Sequence, residues 1–176
     1  MKLFLVKPDL VYYEQYNDMI REWIDSGTQL APWFLDKQFS TIESFEEFIR
    51  MLDQYENSNI SNEYSSTTSY FVVDEDGCLV GGASLRHYLT VKGYNTWGHI
   101  GYGVRPSERG KGYATEILKL VLFEARKKHI YRVLVGAHED NIASRRVIEK
   151  CGGIFDNIVE DRDSNKKICR YWIDNR

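Results

Sequence analysis

Apolar residues recur along this chain with two different periods, and each change of period predicts an element. Leu3 to Val6 is a short apolar run closed by Pro8, the pattern of a strand. Between Val11 and Ile24 the positions Tyr12, Tyr16, Met19, Ile20 and Trp23 fall at helical spacing, and Gly27 ends the predicted helix. Phe45, Phe48, Ile49 and Leu52 repeat that spacing in a second helix over Ser44 to Tyr55, where Ser44 and Glu47 have the form of a capping box. Pro32, Trp33 and Phe34 interrupt the polar stretch between the two. Residues 57–69 are rich in Ser, Thr and Asn and predict a loose surface connection, because too little chain precedes them for an independent domain.

The pattern then becomes that of a β meander. Tyr70 to Val73 reads as a strand, Asp74-Glu75-Asp76-Gly77 as a turn, and Leu79 to Leu89 as a longer strand in which Gly81-Gly82 suggests a bulge or a close contact. Lys92 to Asn95 predicts another turn, and Thr96 to Val104 a strand with three glycines, Gly98, Gly101 and Gly103. Glycines weaken a strand unless a ligand or another backbone must come close; a bound arm lying alongside and a twisted strand both fit. A clean amphipathic helix follows from Tyr113 to about Lys128, with Ala114, Ile117, Leu118, Val121, Leu122 and Ala125 on one face. Arg132 to Ala137 is a β-branched strand, Asn141 opens another helix that Gly152-Gly153 closes, and Ile154–Val159 with Lys167–Ile173 predicts a hairpin turning at Asp163-Ser164-Asn165. A meander, a helix, a strand, a helix and a hairpin in that order make an α+β fold.

The segment from Val104 to Ala114 joins a strand to a helix through a loop of glycines and cations. The first N–H groups of a helix have no internal acceptor and its dipole favours negative charge, so such a junction is an anion site suited to phosphate or pyrophosphate. The P-loop pattern fails, since Tyr113 follows Gly112 and Arg105 stands where the first glycine belongs. The Rossmann pattern fails as well, with Pro106 at its third glycine. What remains is Arg109-Gly110-Lys111-Gly112-Tyr113-Ala114 after a Val-x-Pro strand end. One helix and one strand later comes Asn141-Ile142-Ala143-Ser144, continued by Val147-Ile148-Glu149-Lys150 and Gly152.

These two motifs, in this order, resemble the acyl-CoA loop and the closing helix of the GNAT superfamily of N-acetyltransferases, over roughly Tyr70 to Trp172. The resemblance implies a mixed, mostly antiparallel sheet of about seven strands flanked by about four helices, and a single domain over 1–176. It implies acetyl-CoA as acyl donor, held by Val104, Arg105, Arg109, Gly110, Lys111, Gly112, Tyr113, Ala114 and Thr115, with Asn141 and Ser144 at the thiol end. Arg145 or Arg146 would reach the adenosine end or lie in solvent. In the family the connection between the first two helices borders the acceptor groove, which makes Trp33 and Phe34 candidate substrate wall; their other role is a plug beneath a loop. Many members carry a tyrosine that protonates the leaving thiolate, and here that position is Ile148. The Asn-x-Ala-Ser start resembles the ribosomal-protein N-terminal acetyltransferase branch and makes Ser144 the candidate acid, against the alternative of a first-turn residue satisfying local N–H groups.

Composition narrows the partners. The 176 residues carry a net charge of −3, so no basic field argues for nucleic acid. No apolar run approaches a membrane span, the N-terminal apolar run is too short for a signal peptide, and three dispersed cysteines without a C-x-x-C motif fit a reduced cytoplasm and no metal site. Acidic residues of the last hairpin, Asp156, Glu160, Asp161 and Asp163, either attract a cationic amine or form a solvated edge that blunts aggregation. No nucleophile motif is present, so the expected chemistry is direct attack of a neutral primary amine, of a small molecule or a peptide N-terminus, on the thioester in a ternary complex. A backbone N–H near Val104 would meet the oxyanion, and His138, His99, Tyr102 and Glu139 are the candidate bases. A CoA-binding sensor or interaction module without turnover is the alternative, since Ile148 cannot donate a proton. The oligomeric state and the identity of the acceptor amine are not legible in the chain.

Overall fold

In a computed structural model, residues 2–57, 65–161 and 165–176 are described. They form two antiparallel sheets. Strands β1 (Leu3–Val6), β2 (Thr67–Asp74), β3 (Leu79–Arg86) and β4 (Ile100–Val104) lie in that order in the first. Strands β5 (Arg132–His138), β6 (Ile154–Asp161) and β7 (Lys166–Asp174) make the second, in the order β5-β7-β6. The expected α+β architecture with seven strands is therefore present, split four and three. Five helices accompany them: α1 (Tyr13–Asp25), α2 (Ile42–Asn57), α3 (Val91–Asn95), α4 (Tyr113–Lys127) and α5 (Ile142–Lys150).

Strand β2 is buried on both faces and separates two cores by its two-residue period. Phe71 and Val73 meet the aromatic side chains of α1 and α2, with Tyr16, Phe34, Phe39, Phe45 and Phe48 around them. Tyr70 and Val72 face the second core, where α4 lays Ile117, Leu118, Val121 and Ala125 against β1, β3 and β4. Full burial of one aromatic ring contributes about 1.5–3 kcal/mol, so the α1/α2 cluster anchors the N-terminal third of the chain to the sheet.

Several local expectations shift. The cap of α2 is Thr41, whose Oγ1 accepts from the Ser44 N–H at 3.2 Å, so Ser44 lies in the first turn and Glu47 takes no part in a capping box. The strand read from Tyr70 begins at Thr67, inside the stretch expected to be loose, while 58–64 lie outside the described residues. The Lys92–Asn95 turn is a short helix capped by Thr90. Strand β3 ends at Arg86 rather than Leu89. Asp163 and Ser164 of the last turn lie outside the described residues, and Asp161 is buried rather than on a solvated edge.

The strand read from Thr96 starts only at Ile100. The preceding residues cross to the second sheet instead, through an isolated antiparallel bridge between Gly98 and Val135. The His99 N–H donates to Leu134 O at 2.7 Å, the Gly136 N–H to Trp97 O at 3.1 Å, and the Leu134 N–H to His99 Nδ1 at 3.0 Å. Beyond this bolt β4 and β5 share no ladder, which leaves a wedge between the sheets. Protein neighbours explain two of the three glycines: a Cβ on Gly103 would lie 2.0 Å from Ala31 O, and one on Gly98 would lie 2.2 Å from Leu134 O.

Candidate active site

The wedge opens at the end of β4. Val104 pairs with Gly81, while the next N–H, that of Arg105, donates to Val80 O at 2.8 Å. Alternation in an antiparallel ladder then turns the Val104 and Tyr102 N–H groups away from β3 and into the wedge. After Pro106 the chain makes a single 3₁₀ turn and reaches α4 through Gly110 and Gly112, at φ +78° and +84°. Both are left-handed conformations that disfavour any side chain. A Cβ at either would meet nothing within 4 Å, so the loop backbone is open to a ligand. Gly112 caps α4 without a side-chain acceptor. Among the described residues no acceptor serves the N–H groups of Gly110, Lys111, Gly112 and Ala114, whereas the Thr115 N–H is taken by Gly112 O at 3.1 Å. The Thr115 N–H is thus already engaged within the loop.

The loop cations divide. Arg105 Nε binds Glu22 at 2.5 Å and the Ser107 N–H binds the same carboxylate. Burial alone raises Glu22, but these two partners overcome it and hold its carboxyl below the ordinary range. Arg105 is thus engaged within the protein and braces the loop. Lys111 pairs with Glu108 at 2.8 Å on the surface. Arg109 stacks its guanidinium over Trp23 and donates to Val104 O at 3.1 Å and Thr28 Oγ1 at 3.0 Å, with no carboxylate bridge among the described residues. It is the loop cation held in place without a carboxylate partner among the described residues. Tyr113 turns its ring into the core.

On the other side of the wedge Asn141 caps α5, its Oδ1 accepting from the Ser144 N–H at 3.0 Å. That cap fixes the first turn, and Ser144 Oγ lies 2.9 Å from the Tyr102 hydroxyl. Burial pushes the Tyr102 phenol up to about 12, partly opposed by the Ser144 hydrogen bond. Tyr102 consequently keeps its proton near neutrality and is a donor rather than the base considered for it. His138 ends β5 edge-on to Trp97 at 4.7 Å, and its Nε2 has no hydrogen-bond partner. Burial, then the charge of Lys166, lower its pKa. It is neutral at pH 7 and able to accept a proton. His99 is different: burial drives it to about 4 and its Nδ1 is occupied by the Leu134 N–H, so it is a structural bolt.

Tyr102, His138, Asn141 and Ser144 line one cavity of about 270 Å³, together with Trp33, Ser84, Arg86 and Trp97. Trp33, one of the two residues considered for the acceptor groove, lines this cavity. Phe34 does not: it is 1% exposed within the aromatic core and serves as the plug. Glu139 lies outside this lining and gives its carbonyl to Arg145, whose Nε also donates to Tyr171 at 3.0 Å. Arg145 is accordingly structural and Arg146 is exposed. Ile148 is fully buried in the core. The residues that sequence reasoning missed are Ser84, Arg86 and Trp97. The two on β3 carried a signal, polar side chains at a spacing of two in an otherwise apolar strand.

A model of the acetyltransferase (GNAT) family matches residues 20–153. The chain is 30% identical over 102 residues to a probable N-acetyltransferase, YjcK, of Bacillus subtilis (strain 168), covering 57% of this chain and about half, 54%, of that protein. Among solved structures it is similar to the ribosomal L7/L12 alpha-N-protein acetyltransferase RimL in complex with coenzyme A, at TM-score 0.71, 16% identity, and coverage of 100% of this chain and 97% of that one. The microcin C7 self-immunity acetyltransferase MccE in complex with acetyl-CoA and AMP gives TM-score 0.68 and 19% identity, covering 97% and 91%. The spermidine/spermine N-acetyltransferase SpeG from Vibrio cholerae gives 0.64 and 13%, covering 98% and 94%. At these identities the solved structures show a shared fold, while the family match spans both motifs and the wedge between them: the chain belongs to the GNAT family of acetyltransferases.

Proposed function

We propose that the protein transfers the acetyl group of acetyl-CoA to a primary amine by direct attack in a ternary complex. The observation that carries this reading is a hydroxyl pair, Tyr102 and Ser144, on a cavity lined by residues of both β4 and β5, with an open amide cradle on the loop that leaves the end of β4. The amides of Gly110, Lys111, Gly112 and Ala114, with Arg109, suit a diphosphate at the helix start. The wedge between β4 and β5 admits an extended arm toward Tyr102 and Ser144. Relatives whose names specify ribosomal-protein N-termini or polyamines support an amine as the acceptor class.

The residues divide the chemistry among them. Burial in the cleft disfavours the charged form of the amine, and an α-amine with reference pKa near ~7.7–8.0 needs less help than a lysine-like one near ~10.4. As the C–N bond forms, the amine proton passes to His138 Nε2, directly or through one water. The Val104 N–H meets the oxyanion. As the C–S bond breaks, Ser144 Oγ–H donates to the departing sulfur while accepting from Tyr102, a relay that makes each hydroxyl a better donor. This supplies the proton that Ile148 cannot.

A thiol-release assay with acetyl-CoA and an amine panel tests the reading. Amine-dependent release that Ser144→Ala slows, without weakening CoA affinity, is the expected result. CoA binding without release for any amine would favour the sensor alternative and overturn it.

A further inference from the structure

The inner cavity adjoins a second one of about 230 Å³, and the two share Trp33, Arg86 and Trp97. Among the described residues no Asp or Glu lines either. Among the described residues four buried side-chain polar atoms have no hydrogen-bond partner, and three of them belong to residues of these walls: Ser65 Oγ, Ser84 Oγ and His138 Nε2. Buried polar atoms are nearly always paired, with protein, water or a ligand, and three of these unpaired atoms cluster here. His138 is accounted for by proton transfer. The two serines are not.

Arg86 is the charge at the junction of the cavities. Its Nη1 donates to Gly98 O at 3.0 Å, which fixes the head without neutralising it. No carboxylate among the described residues bridges to it, and burial, the sole cause acting, pulls its pKa down. A guanidinium offers five donors in a planar fork, and one carbonyl uses one of them. Ser84 and Arg86 are two residues apart on β3, so their side chains share a face. Around them stand the two indoles, Trp33 partly exposed and Trp97 edge-on to His138.

We infer that the acceptor amine is a flat aromatic molecule that also carries an oxyanion, a carboxylate or a phosphate. Arg86 and the Ser84 hydroxyl bind the oxyanion, and Trp33 with Trp97 bounds the ring. This inference rests on the acetyl-transfer reading for the fate of the amine, and it opposes a polycationic acceptor. A second ammonium would be driven against the guanidinium with no carboxylate in the walls to receive it.

The test has two readouts on the wild-type protein. In the thiol-release assay, kcat/KM for tryptophan or O-phosphotyramine exceeds that for tryptamine by roughly 10- to 100-fold, as a hydrogen-bonded charge pair predicts, and spermidine is poorest. Whichever of the first two is better identifies carboxylate or phosphate as the preferred oxyanion. Calorimetric titration in the presence of CoA compares N-acetyltryptophan with N-acetyltryptamine and needs no turnover. Wild-type protein binds the anionic product at least tenfold more tightly, Arg86→Gln narrows that ratio to within threefold, and Arg86→Lys restores part of it. Equal binding of the two by wild-type protein, or preferred turnover of spermidine or tryptamine, overturns the inference. Retained binding selectivity without thiol release from any amine supports the acceptor class and removes acetyl transfer alone.

Discussion

Tyr102 comes from strand β4 and Ser144 from the first turn of α5, and they meet only in the fold, 2.9 Å apart. The motif resemblance points to Ser144, and Tyr102 is one of four candidate bases, but nothing in the chain places one hydroxyl on the other. If they act as one relay, Ser144→Ala and Tyr102→Phe each lower kcat by about 10²-fold, the low end for general acid catalysis. The double variant then falls little further, and steady-state kinetics with separately measured CoA affinity reads the non-additivity. His138 gives a pH signature. Its lowered pKa keeps it neutral at pH 7, so its limb in the kcat/KM profile lies below the ordinary histidine value of ~6.5 and disappears in His138→Asn. Ile148 corrects a sequence-level expectation. Restoring the family tyrosine there looks tolerable in the motif, yet Ile148 is fully buried and its atoms already crowd Gly153. Ile148→Tyr therefore overpacks the core and costs about 1–3 kcal/mol, read as a lower urea midpoint.

At the level of elements, the legible ones were those with long, regular periods. The helix after the glycine loop runs over Tyr113–Lys127, one residue from its expected end, and Asn141 caps α5 as its position before an apolar repeat implied. Short elements escaped because tertiary contacts decide them. Residues 96–99 look like strand but cross to Val135, and Thr41 caps α2 a turn before the Ser-x-x-Glu signal. Arg86 and Trp97 stayed hidden because a cavity wall is assembled from β3 and the crossing segment, which are adjacent only in space. The loop-to-α4 junction carries its own prediction. Gly112 sits at φ +84°, so Gly112→Trp strains the backbone by roughly 1–2 kcal/mol and covers the amide cradle. CoA affinity falls at least about tenfold while Tm drops only a few degrees, measurable by calorimetry and thermal melting. Unchanged affinity in a folded variant would contradict the cradle.

For the molecule as a whole, two sheets meet at one bridge and separate beyond it, and His99 holds that junction. Its folded pKa of about 4 lies below the ordinary ~6.5, so the unfolded chain binds more protons between those values. Stability is therefore full above pH 6.5 and decreases as pH falls toward 4, by about 3 kcal/mol from this group. Urea midpoints between pH 7 and 4 fall in wild-type protein, and the decline is shallower in His99→Gln. Among the described residues no helix is long and apolar enough to cross a membrane. The central claim is that the start of α4 grips a diphosphate so that an acyl arm runs through the wedge to the Tyr102–Ser144 pair. A crystal structure with acetyl-CoA tests it most directly. The account predicts diphosphate oxygens within hydrogen-bond distance of the Gly110, Gly112 and Ala114 amides, and the thioester beside Ser144 Oγ. A diphosphate bound elsewhere, with those amides facing only solvent, would contradict it.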